Sequence, residues 1–191
     1  MLLCRFRGIM VWVIKMENEL QKRKPLRLER YDYNRAGAYF ITICTQNKHC
    51  LLSRIVGTGV LDCPEIALTP YGKIADKYIN QLNNFYQHIS VDRYVIMPNH
   101  IHILLFVSPH NNLNPIENGQ SRTPVPTGAN SVVSQFVSTF KRFCNKEYGK
   151  NLWQSRFYDH IIRNQKDYEE HANYIHKNPV RWYHDELYTE E

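Results

Sequence analysis

The chain contains runs of apolar residues in which β-branched and aromatic side chains dominate. Such runs are typical of strands that are buried on at least one face. They predict four strands, at residues 38–45, 91–97, 100–107 and 152–163. Residues 51–69 contain shorter apolar stretches broken by glycine and proline, so we expect a loop with hairpin character there.

Three helices are predicted from apolar residues at spacings of three and four. The first begins with Thr69 as N-cap and Pro70 in the first turn, and the second begins at 130–131. The third begins at Asn164 and ends at Pro179. The order of strands and helices predicts an α+β, ferredoxin-like split βαβ sandwich with an antiparallel sheet and one additional C-terminal helix.

The length of 191 residues suits a single domain. We expect residues 1–30 to form a flexible basic extension and residues 31–185 to form the domain. Asparagine, proline and glycine are frequent in 108–129, which predicts a mobile loop. The N-terminal apolar stretch is short and interrupted by arginine, so Met16 is an alternative start to Met1.

The chain is basic, with 24 Lys and Arg against 18 Asp and Glu, a net charge of +6. This excess favours a polyanionic partner, nucleic acid before membrane, since basic side chains displace counterions from phosphates. No apolar run is long enough to span a bilayer. The five cysteines are scattered without a Cys-x-x-Cys pair, which excludes a zinc finger and indicates a reducing cytoplasm.

A pair of histidines lies on the third predicted strand. Because side chains alternate between the faces of a strand, His100 and His102 point to the same face, and Ile101 points to the other. Two imidazoles on one face can hold a divalent metal. The alternative is that they are hydrogen-bonded surface histidines with no ligand.

Tyr174 and Asn178 are four residues apart on the third predicted helix, so they project from the same face. Next to a His-x-His metal site, a phenol can attack a phosphodiester while the metal polarises the phosphoryl oxygen. The side-chain carbonyl of Asn178 can then serve as a third metal ligand. Tyr158 is the alternative nucleophile, since it lies in a segment expected near the same site.

Aromatic and basic residues are interleaved on the last predicted strand, a pattern that suits single-stranded DNA. Bases stack on the rings while cations follow the backbone. The candidates are Trp153, Arg156, Phe157, Tyr158 and Arg163. For Trp153 and Phe157 the alternative is burial in the core. Four basic residues lie along and beyond the second predicted helix: Lys141, Arg142, Lys146 and Lys150. A solvated face is expected for them, and the alternative is that they follow the phosphates of a nucleic acid.

The segment 98–102, Pro-Asn-His-Ile-His, resembles the HUH motif of single-strand DNA nucleases. The segment 153–164, followed by 174–179, closely resembles the single-tyrosine transposases associated with repetitive extragenic palindromes (REP). The resemblance covers roughly residues 26–183. It implies that the HUH motif lies on a central strand and that the C-terminal helix carries the tyrosine.

The resemblance also implies a function. It is that of a homodimeric, site-specific single-strand DNA endonuclease and strand transferase that acts at DNA hairpins through a 5′-phosphotyrosine link. Tyr174 maps onto the nucleophile, and His100, His102 and Asn178 map onto the ligands of a divalent metal, Mg or Mn. Such a protein acts in the bacterial cytoplasm, at the nucleoid.

Two other functions are consistent with these residues. The first is a non-catalytic regulator, derived from a transposase, that binds hairpin DNA without cutting it. The second is a metal-dependent hydrolase of small phosphoesters, although that activity leaves the pairing of Tyr174 with Asn178 unexplained.

Overall fold

The computed structural model of the protein describes residues 34–57, 64–109 and 131–189. The strands are β1 (Gly37–Cys44), β2 (Ser53–Val56), β3 (Glu65–Leu68), β4 (Ile89–Ile96), β5 (His100–Val107) and β6 (Tyr158–Ile162). The helices are α1 (Pro70–Phe85), α2 (Val132–Tyr148) and α3 (Gln165–Lys177), followed by a 3₁₀ helix, Pro179–His184. The predicted extension 1–30 and nearly all of the predicted loop 108–129 lie outside the described residues.

Four strands form one antiparallel sheet in the order β4-β5-β1-β6. This order, with α1 and α2 as the connecting helices, confirms the predicted ferredoxin-like α+β fold. The strands β2 and β3 pair with each other outside this sheet, which confirms the hairpin character of 51–69. The central position of β5 and β1 places the two histidines in the middle of the sheet.

The three helices begin where capping residues satisfy free backbone N–H groups. Thr69 Oγ1 accepts a hydrogen bond from the amide of Gly72, and Ser131 Oγ accepts one from the amide of Ser134. Asn164 caps α3 in the same way. All three helix starts agree with the sequence predictions. Within the described ranges, no helix combines the length and apolar character needed to cross a lipid bilayer.

The last strand is shorter than predicted, because β6 begins only at Tyr158. Before it, Trp153 forms a single bridge with Thr45 of the segment after β1. The carbonyl oxygens of residues 154–156 accept hydrogen bonds from the Lys141 ammonium group. The segment 154–157 is therefore irregular, and its carbonyl groups are bonded to a side chain of α2 instead of to a neighbouring strand.

Both faces of the sheet are covered. One face packs on α1 and α2 through alternate residues of the two central strands: Tyr39, Ile41, Ile43, Ile101, Ile103 and Leu105. The opposite face carries Phe40 and Leu104, which pack on Ala172 and Ile175 of α3. His100 and His102 lie on this second face. The face that carries the histidines is therefore buried beneath α3 and the C-terminal segment.

Candidate active site

The histidine pair is buried between the sheet and the C-terminal segment. The exposed fraction of the side chain is 0% for His100 and 3% for His102. Their ring centroids are 4.4 Å apart, and Trp182 of the 3₁₀ helix lies over His100 at 5.9 Å. Alternation along β5 thus places both rings on the same face, as the sequence predicted.

The hydrogen bonds of Asn99 determine which nitrogen of His100 is free. Asn99 Nδ2 donates to the backbone oxygens of Lys48 and Leu187, which fixes the orientation of the amide. Asn99 Oδ1 therefore faces Nδ1 of His100, at 2.8 Å, and accepts its proton. Nε2 of His100 is left with an unprotonated lone pair, which is the form that binds metals.

His102 is oriented by a similar contact on the neighbouring strand. Thr42 stands opposite His102 in the register of β1 and β5, and its Oγ1 lies 2.8 Å from Nδ1 of His102. The face of His102 stacks on Phe40, with centroids 5.0 Å apart. Each imidazole is thus held through Nδ1 and directs Nε2 away from that contact.

Among the site residues proposed from the sequence, three buried side-chain atoms have no hydrogen-bond partner within the described ranges: Nε2 of His100, Nε2 of His102 and the side-chain oxygen Oδ1 of Asn178. Buried polar atoms without a partner cost free energy, so such atoms indicate a place where a ligand can bind. Two imidazole nitrogens and an amide oxygen fit a divalent metal.

Both imidazoles are neutral at physiological pH, as metal binding requires. Burial, followed by the nearby charge of Lys48, lowers the pKa of His100 to about 3. Burial and then the charge of His100 lower the pKa of His102 well below its ordinary value. A cation therefore has no protons to displace from this pair near neutral pH.

The helix α3 and its C-cap supply the tyrosine and the amide. Asn178 is 1% exposed, and its Nδ2 donates to Oδ2 of Asp185 at 2.8 Å. The hydroxyl of Tyr174 donates to the same Oδ2 at 2.9 Å. The ring of Tyr174 lies 5.1 Å from that of His102. One chain therefore brings His100, His102, Tyr174 and Asn178 together without a partner chain.

Asp185 is a further residue of the site, and no sequence pattern predicted it. Its carboxylate and the ring nitrogens of His100 and His102 provide ligand atoms within 4.8 Å of one another. It lies just beyond the 3₁₀ helix, which turns the chain back over the histidines. No motif or helical spacing marks it, and its only signal was an acidic residue after the Asn-Pro that ends α3.

The phenol of Tyr174 is held in its protonated form. Burial, and then the negative charge of Asp185 beside it, raise the pKa of Tyr174 above its ordinary value. The hydroxyl proton already lies on the hydrogen bond to Asp185. A reaction that uses the phenolic oxygen as nucleophile therefore needs a base at this position, and Asp185 is in place to act as one.

A cleft of about 1100 Å³ opens beside His102 and is lined by aromatic and polar residues. Arg156, Phe157 and Tyr158 line it together with His102 and Tyr174. Tyr158 is 48% exposed, so its ring is available for stacking. The cleft brings three of the five expected DNA-contacting residues next to the tyrosine.

The other two expected DNA-contacting residues lie elsewhere. Trp153 is 1% exposed and packs on Phe140 of α2, with centroids 5.3 Å apart. The prediction that a base stacks on Trp153 is therefore wrong, because the ring is buried in the core. Arg163 is exposed at the end of β6 and is not among the residues that line the cleft.

Tyr158, the alternative nucleophile, is placed differently from Tyr174. It stands in β6 opposite Thr42, whereas Tyr174 shares Asp185 with Asn178.

A separate cluster of possible metal ligands, His160, Asp167 and His171, lies nearby. His160 Nε2 lies 3.0 Å from the Asp167 carboxylate, whereas Nδ1 of His171 lies 2.8 Å from the backbone oxygen of Asp167.

The contact between Thr42 and His102 yields a prediction. In Thr42→Val the hydroxyl that orients His102 is lost while the shape of the side chain is kept, so we expect affinity for Mn²⁺ to fall about 10- to 100-fold. Titration calorimetry measures this change. The matched control is Thr139→Val on α2, whose hydroxyl contacts Tyr86. Equal affinities in Thr42→Val and the control would contradict the orienting role.

Comparisons with known proteins agree with this fold. No family model matches the chain. An uncharacterised protein of Haemophilus influenzae is 32% identical over 180 residues, which cover 90% of this chain and 96% of the relative. A REP-associated tyrosine transposase of Escherichia coli is 24% identical over 149 residues, covering 78% of this chain and 70% of the relative.

A solved structure of a REP-associated tyrosine transposase bound to a REP hairpin matches with a TM-score of 0.55 and 24% identity. The match covers 81% of this chain and 73% of the other. The fold is thus that of a tyrosine transposase. In sequence and in fold the chain is similar to REP-associated tyrosine transposases, as the sequence resemblance indicated.

Proposed function

We propose that this protein is a site-specific single-strand DNA endonuclease and strand transferase that acts at DNA hairpins. Similarity to REP-associated tyrosine transposases supports the general class. The observation that supports the specific activity is that side chains of β5 and of α3 with its C-cap meet at one site. Two buried imidazole Nε2 atoms and the oxygen of Asn178 lack partners, and the hydroxyl of Tyr174 is joined to this group through Asp185.

In the proposed reaction Tyr174 is the nucleophile. Its phenolic oxygen forms a bond to a backbone phosphorus atom of the DNA, and the bond from phosphorus to the 3′-oxygen breaks. The phenol proton passes to the carboxylate of Asp185, which accepts its hydrogen bond at 2.9 Å. The departing 3′-oxygen takes a proton from solvent. The product is a 5′-phosphotyrosine and a free 3′-hydroxyl.

His100, His102 and Asn178 are the proposed ligands of a divalent metal, Mg or Mn. When bound, such an ion polarises a phosphoryl oxygen and stabilises the charge that develops on phosphorus. Asn99 and Thr42 hold the two imidazoles in the orientation that presents Nε2. Asp185 lies close enough to both rings to contribute a further oxygen.

The tyrosine link makes strand transfer possible without an external energy source. Attack by a second 3′-hydroxyl on the phosphotyrosine replaces one ester bond with another and restores the phenol of Tyr174. Phe157 and Tyr158 offer faces for stacking bases, and Arg156 offers a charge for the backbone. We propose that the strand next to a DNA hairpin occupies this cleft.

The test is covalent capture of DNA. The purified protein is mixed with labelled hairpin oligonucleotides that carry single-stranded flanks, taken from inverted repeats near the reading frame, with Mn²⁺ or with a chelator. We expect a labelled species of increased mass in a denaturing gel with Mn²⁺ only. A hairpin that binds tightly but gives no adduct and no cleavage would instead favour the non-catalytic regulator.

The homodimer stays a prediction. All proposed catalytic groups come from a single chain, so the chemistry itself does not require a second copy. A dimer would serve to hold two DNA ends for rejoining. Sedimentation velocity, with and without hairpin DNA, distinguishes the two states.

A further inference from the structure

The segment 154–157 forms one wall of the cleft although it belongs to no strand or helix. It contributes Gln154, Arg156 and Phe157 to the lining. Its attachment to the sheet is a backbone hydrogen bond from the amide of Gln154 to the carbonyl oxygen of Cys44, at 3.0 Å. The shape of this wall therefore depends on contacts made from outside the sheet.

Lys141 of α2 supplies those contacts. Its ammonium nitrogen donates to three consecutive carbonyl oxygens, those of Gln154 at 2.8 Å, Ser155 at 3.4 Å and Arg156 at 3.0 Å. It also lies 5.7 Å from the centre of the Phe157 ring. The three N–H donors of an ammonium group match the three acceptors, so the lysine is not part of the solvated face expected from the sequence.

We propose that Lys141 is a positioning residue, which holds segment 154–157 in the shape that the cleft presents to single-stranded DNA. This inference rests on the proposed function, since it assigns the DNA strand to the same cleft. The ammonium group of Lys141 faces the backbone of segment 154–157 and is not expected to contact DNA itself. Its effect on DNA is therefore the placement of Arg156 and Phe157.

This arrangement makes the wall sensitive to mildly alkaline pH. Burial lowers the pKa of Lys141 to about 8, and the titratable group that faces it is Cys44 of β1. Burial raises the pKa of Cys44, so the thiol stays neutral in this range. Above pH 8 the ammonium becomes an amine with two donors and a lone pair, which repels one of the three carbonyl oxygens.

The test measures binding of a fluorescent hairpin oligonucleotide with a single-stranded flank, in chelator, from pH 6.5 to 9.5. In the unmodified protein we expect affinity to be constant below pH 7 and to fall about tenfold across a midpoint near pH 8, since charged hydrogen bonds are lost. Lys141→Met is expected to bind about tenfold more weakly at pH 7 and to show no step near pH 8. Lys141→Arg keeps its charge and is expected to restore part of the affinity with a flat profile.

The matched control is Lys146→Met, which removes an exposed charge from the same helix. It is expected to keep the step near pH 8 and to change affinity less than about twofold, since a surface charge contributes little. An unmodified protein with no step near pH 8 would overturn the proposal. So would a folded Lys141→Met variant that binds as the unmodified protein does.

Hydrogen exchange separates this proposal from the proposed function. At pH 7 the amides of 154–157 are expected to exchange faster in Lys141→Met than in the unmodified protein, whether or not DNA is present. If exchange in this segment is unchanged, the positioning role fails. If exchange is faster in the variant but the unmodified protein does not bind DNA, Lys141 does hold segment 154–157 and the proposed DNA function fails.

Discussion

Replacing Tyr174 by phenylalanine is expected to abolish DNA cleavage and covalent attachment while hairpin binding stays within about twofold of the unmodified protein. The substitution removes only the attacking oxygen and its hydrogen bond to Asp185. The ring still packs against His102 and Phe40. Loss of a nucleophile that no other group replaces costs about 10⁴-fold or more in rate. Cleavage gels and fluorescence anisotropy measure the two properties.

Two other tyrosines provide the controls for this substitution. Tyr183→Phe changes a hydroxyl on the exposed 3₁₀ helix, where the side chain is 56% exposed, and should cleave normally. Tyr158→Phe changes the alternative nucleophile and should retain adduct formation. If Tyr174→Phe nicks DNA at the normal rate, or Tyr158→Phe abolishes the adduct, the assigned chemistry is wrong.

Replacing His102 by alanine is expected to remove both metal binding and catalysis. Nε2 of His100 and the oxygen of Asn178 would remain, with the carboxylate of Asp185 nearby, and the loss of one imidazole ligand weakens the hold on the cation. The expected loss in the cleavage rate is about 10²- to 10³-fold, from the loss of charge stabilisation on phosphorus. In the unmodified protein Mn²⁺ should raise the melting temperature by mass action, and in the variant this increase should vanish.

His176→Ala is the matched control, because His176 is an exposed histidine on α3 and has no place among the proposed ligands. It should keep both the metal-induced increase in melting temperature and cleavage. An His102→Ala variant that Mn²⁺ stabilises as much as the unmodified protein would show that the cation binds elsewhere. The nearby cluster of His160, Asp167 and His171 would then be the site to test.

The sequence predicted the elements of the fold because their signals are local. The caps Thr69, Ser131 and Asn164 accept hydrogen bonds from amides within their own helices. The alternation around His100 and His102 lies within a single strand. Spacing of four on α3 likewise predicted that Tyr174 and Asn178 share a face.

Features that depend on contacts between distant segments were not predictable in this way. Asp185 reaches the histidines only because the 3₁₀ helix turns the chain back over β5, which no local pattern indicates. The role of Lys141 depends on where segment 154–157 lies relative to α2. Trp153 was assigned to DNA from its interleaving with cations, but burial against Phe140 decides its position.

The most direct test of the account is to locate the covalent link in the trapped adduct. The protein is reacted with a hairpin oligonucleotide and Mn²⁺, digested, and the nucleotide-bearing peptide is sequenced by tandem mass spectrometry. We expect the added nucleotide mass on Tyr174, beside the hydrogen-bonded Asp185 and the paired imidazoles. A nucleotide on Tyr158, or on any other residue, would contradict it.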